Sequence, residues 1–133
     1  MTVVADANVF LRYLTDDIPL QADRVERRFA EAKSGKLAIA LLHITVIEIL
    51  FHLEHWYHLP KEQAVEKLVL LFSQTWILIE EKQSLLLALT MYPSSAIDFV
   101  DLLTWTIAQT KQANILSFDK HYDKLIPSLR LEP

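Results

Sequence analysis

Cysteine is absent from the 133-residue sequence. Its absence excludes disulfide bonds, thiolate nucleophiles and zinc sites with cysteine ligands. Long apolar runs are absent too, since none reaches the ~18 residues that a membrane-spanning helix needs. The N-terminus also lacks the basic segment and the cleavable apolar stretch of a signal peptide. We therefore expect no membrane association and a cytoplasmic location.

Positive charge is scarce as well. Lysine and arginine number 13 against 17 aspartate and glutamate residues, which gives a net charge of −4. General nucleic-acid binders are usually basic, so this balance argues against that class. A metal-dependent nuclease is an exception, because clustered acids supply the negative charge and bound cations reverse the local field. Hydrophobic residues make up 52% of the chain, an excess that indicates a surface covered by a second copy or a partner.

The length is that of one domain, and we predict a single domain over residues 1–133. Short apolar stretches alternate with amphipathic segments, a pattern typical of an α/β fold with a mostly parallel sheet. The predicted strands are the stretch before Asp6, Leu37–Leu41, Trp76–Ile79 and Asn114–Ser117, with Leu129–Leu131 as a candidate edge strand. The predicted helices are Ala7–Leu14, a helix that ends near Ser34, Thr45–His58, Lys61–Phe72, Ser84–Tyr92 and Asp98–Gln112.

Two local details sharpen this prediction. The first strand is apolar without alternation at Val3 and Val4, so we expect both of its faces to be covered. The only glycine of the chain, Gly35, is expected to end the second helix in the position just beyond the cap.

Acidic residues recur at or just inside the predicted helix N-termini, namely Asp6, Glu48, Asp101 and Asp119. A purely structural explanation is open for acids at such places, because a carboxylate at a helix start accepts backbone N–H groups. Asp6 is a natural N-cap, Thr45-Val46-Ile47-Glu48 fits a capping box, and Ser95-Ala96-Ile97-Asp98 fits a variant of one. Helix capping and a shared functional site therefore both remain open.

The functional interpretation depends on where parallel strands bring these acids. In a right-handed parallel α/β sheet the helix starts lie along one edge. Four carboxylates that converge there are costly to keep ionised unless cations neutralise them. Oxygen ligands suit Mg²⁺ or Mn²⁺. Such a cluster can organise the attack of a water molecule on a phosphodiester and stabilise the leaving oxygen.

Short motifs occur in order along essentially the whole chain, namely Asp6-Ala7-Asn8, Ile47-Glu48-Ile49, Asp98-Phe99-Val100-Asp101 and Ser117-Phe118-Asp119. Their order and spacing together resemble the motifs of PIN-domain ribonucleases, in particular the VapC-type toxins of bacterial toxin–antitoxin pairs. The resemblance implies a PIN-like three-layer α/β fold with a short, mostly parallel sheet flanked by helices. It implies that one set of acids is both catalytic and metal-binding, namely Asp6, Glu48, Asp101 and Asp119. The implied accessory residues are Asn8, Asp98 and Ser117.

The same resemblance implies an endoribonuclease that depends on Mg²⁺ or Mn²⁺ and hydrolyses RNA phosphodiester bonds with metal-activated water. The implied partners are an RNA substrate, a cognate antitoxin that covers the active site, and a second copy of the chain in a homodimer.

Two other classes of function are alternatives. A catalytically inactive PIN scaffold would act as a protein-binding module. A receiver-type signalling domain shares the α/β pattern, but it needs a phosphoacceptor aspartate at the end of its third strand, where Glu80-Glu81 stands instead. It also needs paired acids after its first strand, where Asp6 is followed by Ala7 and Asn8, so only fold-level analogy supports it. Metal binding distinguishes the nuclease from the inactive scaffold.

Overall fold

The computed structural model describes all 133 residues and shows a mixed α/β protein with six α-helices and a short parallel sheet. The α/β class predicted from the sequence is confirmed. The chain divides into two compact units, an N-terminal unit of residues 1–80 and a C-terminal unit of residues 81–133, and each is described by itself. None of the helices combines the length and the apolar character that crossing a membrane requires.

The N-terminal unit is built on three parallel strands. The strands are β1 (Thr2–Val4), β2 (Ala38–Leu41) and β3 (Ile77–Ile79), with β2 in the centre. Val3 pairs with Ile39, and Ile39 pairs with Ile77. The helices of this unit are α1 (Ala7–Thr15), α2 (Pro19–Lys33), α3 (His43–His55) and α4 (Lys61–Phe72). Each strand therefore leads into a helical segment or follows one, as the alternating pattern predicts.

The burial predicted for the first strand is wrong at Val4, whose side chain is 68% exposed. In this sheet β1 is an edge strand that pairs only with β2. A continuous apolar run of three residues does not distinguish a strand covered on both faces from a partly exposed edge strand.

Aromatic packing forms the centre of the N-terminal unit. Phe10 of α1, Phe29 of α2 and Phe72 of α4 are each at most 1% exposed. The ring centroid of Phe10 lies 5.6 Å from that of Phe29 and 5.9 Å from that of Phe72. Such pairs contribute about 0.5–1.5 kcal/mol beyond the burial of their area. One ring from each helix thus ties α1, α2 and α4 together.

Gly35 ends α2 as predicted. Its φ angle is +86°, in the left-handed region that favours glycine. Its N–H donates to the carbonyl oxygen of Ala32 at 3.1 Å, and the N–H of Lys36 donates to that of Glu31 at 3.0 Å. These two bonds are those of a Schellman motif, and they satisfy carbonyls that the helix end would otherwise leave unpaired.

The C-terminal unit contains two helices and a small second sheet. The helices are α5 (Lys82–Met91) and α6 (Phe99–Thr110), and the strands are β4 (Ile115–Leu116) and β5 (Arg130–Leu131). A 3-10 helix, Lys120–Lys124, lies between the two strands and is called the C-terminal turn below. The fourth predicted strand does not join β1–β3, because β4 pairs in parallel with β5, the candidate edge strand of the sequence pattern.

Buried hydroxyls connect α5 and α6. The hydroxyl of Thr106, which is 1% exposed, lies 2.9 Å from the carbonyl oxygen of Ser84 and can donate to it. The hydroxyl oxygens of Ser84 and Thr110 lie 2.9 Å apart. Thr106 and Ser84 are buried, and a hydrogen bond between buried groups is directional, so this contact helps to set the register of α5 on α6.

Candidate active site

Asp6 lies at the junction of β1 and α1. It is the N-cap of α1, and its Oδ1 accepts a hydrogen bond from the backbone N–H of Val9 at 3.4 Å. The capping role predicted for this residue is confirmed. Asp6 is nevertheless exposed, as is Asn8 in the first turn of the same helix. The cap uses one carboxylate oxygen, so the other can face solvent or a ligand.

Glu48 does not belong to a capping box. The helix α3 begins at His43 with Leu42 as its N-cap, and the N–H groups of Thr45 and Val46 both donate to the carbonyl oxygen of Leu42. Thr45 is therefore inside the helix and buried, and Glu48 is one turn further along and exposed. The capping-box prediction is wrong because the N-cap is Leu42, three residues before Thr45. Helix capping therefore does not explain the acidic residue at position 48.

The capping box predicted for Ser95 to Asp98 is also wrong. The helix α6 begins at Phe99, so the N-cap is Asp98, whose side chain makes no capping bond. Ser95 lies outside the helix, and its hydroxyl accepts a hydrogen bond from the N–H of Ile97 at 3.1 Å. Asp101 is in the first turn of α6 and is half-buried. Since the N-terminal end of a helix favours negative charge, both acids are placed where ionised carboxylates are stabilised.

Asp101 has a defined partner in Tyr122. The phenol hydroxyl of Tyr122 donates to Oδ1 of Asp101 at 3.1 Å, and the tyrosine is only 6% exposed. Burial raises the pKa of the Tyr122 hydroxyl above its usual value, and the hydrogen bond to Asp101 and the charge of Asp101 raise it further. The charge of Asp119 acts in the same direction. Tyr122 is therefore a neutral hydrogen-bond donor at neutral pH.

Asp119 begins the C-terminal turn, as the sequence predicts for this residue. Its Oδ1 accepts a hydrogen bond from the N–H of His121 at 2.9 Å. The N–H of Asp119 itself donates to the hydroxyl oxygen of Ser117 at 2.9 Å. Ser117 thus fixes the backbone of Asp119, and Asp119 caps the turn that contains Tyr122.

Arg130 supports this segment from β5. It donates to the carbonyl oxygen of Ser117 at 3.2 Å and to Oδ2 of Asp123 at 2.9 Å, and it also bonds to Glu132. The hydrogen bond from Arg130 is the main reason why the pKa of Asp123 lies below its usual value. The same ion pair raises the pKa of Arg130. Arg130 therefore connects Ser117, at the end of β4, with Asp123 in the C-terminal turn.

The sequence interpretation missed Tyr122 and Arg130 as contacts of the candidate acids. The available signal for Tyr122 was its position three residues after Asp119, in a turn that begins with an acid. No local signal pointed to Arg130, because its partners Ser117 and Asp123 become neighbours only through the pairing of β4 with β5.

The structure gathers the candidate residues within each unit to different degrees. In the C-terminal unit, Ser117, Asp119 and Asp101 are linked through the C-terminal turn and Tyr122. In the N-terminal unit, Asp6 is the N-cap of α1 and Glu48 lies on α3, and these two helices pack against each other. No group of three or more histidine, cysteine or acidic side chains is placed to hold a metal ion.

The donor chemistry of the predicted set nevertheless fits a hard divalent cation. All four predicted ligands are carboxylates, and oxygen ligands are those that Mg²⁺ and Mn²⁺ prefer. Asp6, Glu48 and Asp119 are exposed and Asp101 is half-buried, so a hydrated ion can reach each of them.

Comparison with known proteins identifies the family. The family model described as PIN domain matches residues 3–126, which include all the candidate acids and extend through both units. Neither the curated proteins nor the solved structures contain a match to the chain. PIN domains are generally nucleases that hydrolyse nucleic acids with the help of divalent metal ions. The family match covers nearly the whole sequence, and the chain therefore belongs to the PIN-domain family.

Proposed function

We propose that this protein is a Mg²⁺- or Mn²⁺-dependent endoribonuclease and the toxin of a toxin–antitoxin pair. The observation that carries the proposal is the PIN-domain match over residues 3–126, a range that contains every acid of the predicted set. The motif order supports an RNA-cleaving toxin within this nuclease family. The corresponding partners are an RNA substrate, a cognate antitoxin and a second copy of the chain.

The proposed ligands are the carboxylates of Asp6, Glu48, Asp101 and Asp119. A divalent cation held by them supplies Lewis-acid stabilisation of charge on the phosphate and lowers the pKa of water. The carboxylates bind the cation and fix its position. Asp6 and Asp101 lie at the N-terminal ends of α1 and α6, where the helix stabilises their negative charge.

The accessory residues act around these ligands. Ser117 fixes Asp119 by accepting its backbone N–H at 2.9 Å. Asn8 is exposed in the first turn of α1. We assign to it the orientation of a water molecule or a phosphate oxygen beside Asp6. Asp98 is exposed at the N-cap of α6 and adds negative charge near Asp101 without being a required ligand.

The test is cleavage of total cellular RNA by the purified full-length chain in Mg²⁺, in Mn²⁺ and in EDTA. The Asp101→Asn variant removes one ligand charge and keeps the shape of the side chain. The matched control is Asp23→Asn, which makes the same chemical change at an exposed position of α2 outside the predicted site. Because all three proteins are purified in the same way, activity from a contaminating ribonuclease would persist in Asp101→Asn.

Discrete fragments that require metal, persist in Asp23→Asn and vanish in Asp101→Asn are the expected result. Mapping the fragment ends then identifies the cleaved RNA. An absence of cleavage together with an absence of Mn²⁺ binding by calorimetry would contradict the nuclease and favour the inactive scaffold that binds a partner protein.

A further inference from the structure

The C-terminal turn, Lys120–Lys124, contacts both candidate acids of its unit. Asp119 caps the turn by accepting the N–H of His121 at 2.9 Å. Tyr122 belongs to the turn and donates its hydroxyl to Oδ1 of Asp101 at 3.1 Å. One short segment therefore fixes the position of Asp101 relative to Asp119, although the two acids lie on different elements.

The Tyr122 ring is held firmly enough to act as a reference point. It is 6% exposed and packs in a buried cluster with Trp105, Ala108 and Ile115. The N–H of the Trp105 indole in turn donates to the carbonyl oxygen of Pro127 at 3.0 Å, which anchors the same cluster to the segment after the turn. A ring packed in this way keeps one rotamer, so its hydroxyl has one position.

The hydroxyl restricts Asp101 in a specific way. A free aspartate side chain on the first turn of a helix rotates between staggered conformations. The hydrogen bond from Tyr122 takes up Oδ1 and selects the rotamer that points towards the C-terminal turn. The second carboxylate oxygen of Asp101 is then available in a defined direction, as a metal ligand must be.

We propose that Tyr122 is a positioning residue, whose hydroxyl holds the Asp101 carboxylate in the orientation in which it binds the divalent cation together with Asp119. This inference rests on the proposed function, because it requires that Asp101 is a metal ligand. It assigns to Tyr122 the part that hydrogen-bonding partners of metal ligands commonly play, which is to orient the ligand and tune its basicity.

A purely structural role for Tyr122 makes different predictions, and the Tyr122→Phe variant separates the two. Phenylalanine keeps the ring in the buried cluster and removes only the donor to Asp101. The matched control is Tyr57→Phe, which removes a tyrosine hydroxyl that donates to Asp17 at 2.7 Å in the N-terminal unit. Asp17 is outside the proposed ligand set, so this variant reports the cost of losing a tyrosine–aspartate hydrogen bond as such.

The experiment measures Mn²⁺ binding to the full-length chain by isothermal titration calorimetry, together with RNA cleavage at saturating Mn²⁺. In Tyr122→Phe we expect the Kd for Mn²⁺ to rise about 10-fold, within the range found for partners of metal ligands. Because Mn²⁺ is saturating, its weaker binding does not by itself lower kcat. We expect kcat still to fall by a similar factor, because the Asp101 carboxylate is no longer held in its orientation, and KM for RNA to stay within about twofold, because the substrate contacts are unchanged. Tyr57→Phe should leave the Kd within about twofold of wild type.

A double variant completes the test. If Tyr122 acts through Asp101, Tyr122→Phe adds no further weakening of Mn²⁺ binding once Asp101→Asn is present. Binding by Tyr122→Phe that equals wild type, or a loss that is the same in Tyr57→Phe, would overturn the inference and leave the proposed function intact. Wild-type protein that binds no Mn²⁺ would overturn both.

Discussion

The two units of the chain hold their candidate acids by different means. In the N-terminal unit, Asp6 and Glu48 are placed by the backbone of helices attached to a parallel sheet, and the one cap bond of Asp6 is 3.4 Å long. In the C-terminal unit the sheet has only two strands of two residues, and side-chain hydrogen bonds take over the task. Asp101 bonds to Tyr122, and Asp119 bonds to the turn that contains Tyr122.

This difference shows how position and direction of a carboxylate are set separately. A strand followed by a helix fixes where an acid lies, because the backbone has little freedom there. It does not fix where the carboxylate points. Asp101 gains a defined direction from a buried hydroxyl, whereas Asp6 and Glu48 remain exposed side chains on a fixed backbone. We therefore expect mutations of buried packing residues to change stability, and mutations of the candidate acids in either unit to change activity.

The largest effect on stability is expected in the aromatic centre of the N-terminal unit. Phe10 is fully buried and contacts the rings of Phe29 and Phe72. Phe10→Ala should lower the free energy of unfolding by about 3–5 kcal/mol, because it removes buried area and leaves a cavity. The measurement is urea denaturation followed by circular dichroism. The control is Phe51→Ala at a side chain that is 58% exposed, and an equal loss there would show that burial is not the cause.

The next largest effect is on RNA cleavage and compares one proposed metal ligand from each unit. Asp6→Asn and Asp119→Asn should each reduce RNA cleavage more than about 100-fold, or about 2.7 kcal/mol of activation free energy, since a ligand matters more than its partners. Asparagine caps a helix as well as aspartate, so the free energy of unfolding should stay within about 0.5 kcal/mol.

Cleavage rates and urea denaturation of the two capping variants provide the comparison between units. The control is Asp16→Asn at the C-cap of α1, where φ is +51° and asparagine is well tolerated. A wild-type cleavage rate in Asp6→Asn or Asp119→Asn would remove that residue from the ligand set.

A smaller effect is expected from the buried hydroxyl between α5 and α6. Thr106→Val keeps the shape of the side chain and removes the hydrogen bond to the carbonyl oxygen of Ser84. The free energy of unfolding should fall by about 1 kcal/mol, the usual cost of losing such a bond. Thr106→Ser keeps the hydroxyl and tests whether the methyl group matters instead. A Thr106→Val protein as stable as wild type would contradict the idea that side-chain bonds organise the C-terminal unit.

The smallest effect concerns acid pH and one carboxylate in each unit. The hydrogen bond from Tyr57 lowers the pKa of Asp17, and the hydrogen bond from Arg130 lowers the pKa of Asp123. A folded-state pKa below the unfolded value of about 3.9 stabilises the protein above that pH, and the contribution is lost as pH falls through the folded pKa. Both acids therefore contribute to acid unfolding.

The measurement is the urea midpoint as a function of pH for wild type, Asp17→Asn and Asp123→Asn. Each variant should show a shallower fall of the midpoint below about pH 4 than wild type. Because both carboxylates are exposed, the change in slope should be small. A slope identical to that of wild type in either variant would show that the hydrogen bond to that carboxylate does not form in solution.

Local sequence signals predicted the elements well and the helix starts less well. Gly35, Asp6 and Asp119 were each assigned correctly, because a glycine beyond a helix end and an acid before one act through their own backbone neighbours. Thr45 and Ser95 were assigned to capping boxes that do not exist. For Thr45 the true N-cap is Leu42, which lies outside the four-residue pattern, and for Ser95 it is Asp98, the last residue of the pattern instead of the first. The residue types of a capping box therefore do not show which residue begins the helix.

The sequence by itself determined the order of strands and helices and membership of the PIN-domain family. It also determined the helix starts at Asp6 and Asp119 and the helix end at Gly35. These features depend on backbone propensities and on short-range hydrogen bonds. Only the tertiary structure decided that Tyr122 bonds to Asp101 and that β4 pairs with β5 through contacts that Arg130 reinforces. Those contacts join residues that are far apart in the chain. Tertiary packing brings these residues together, and a short stretch of sequence does not contain that information.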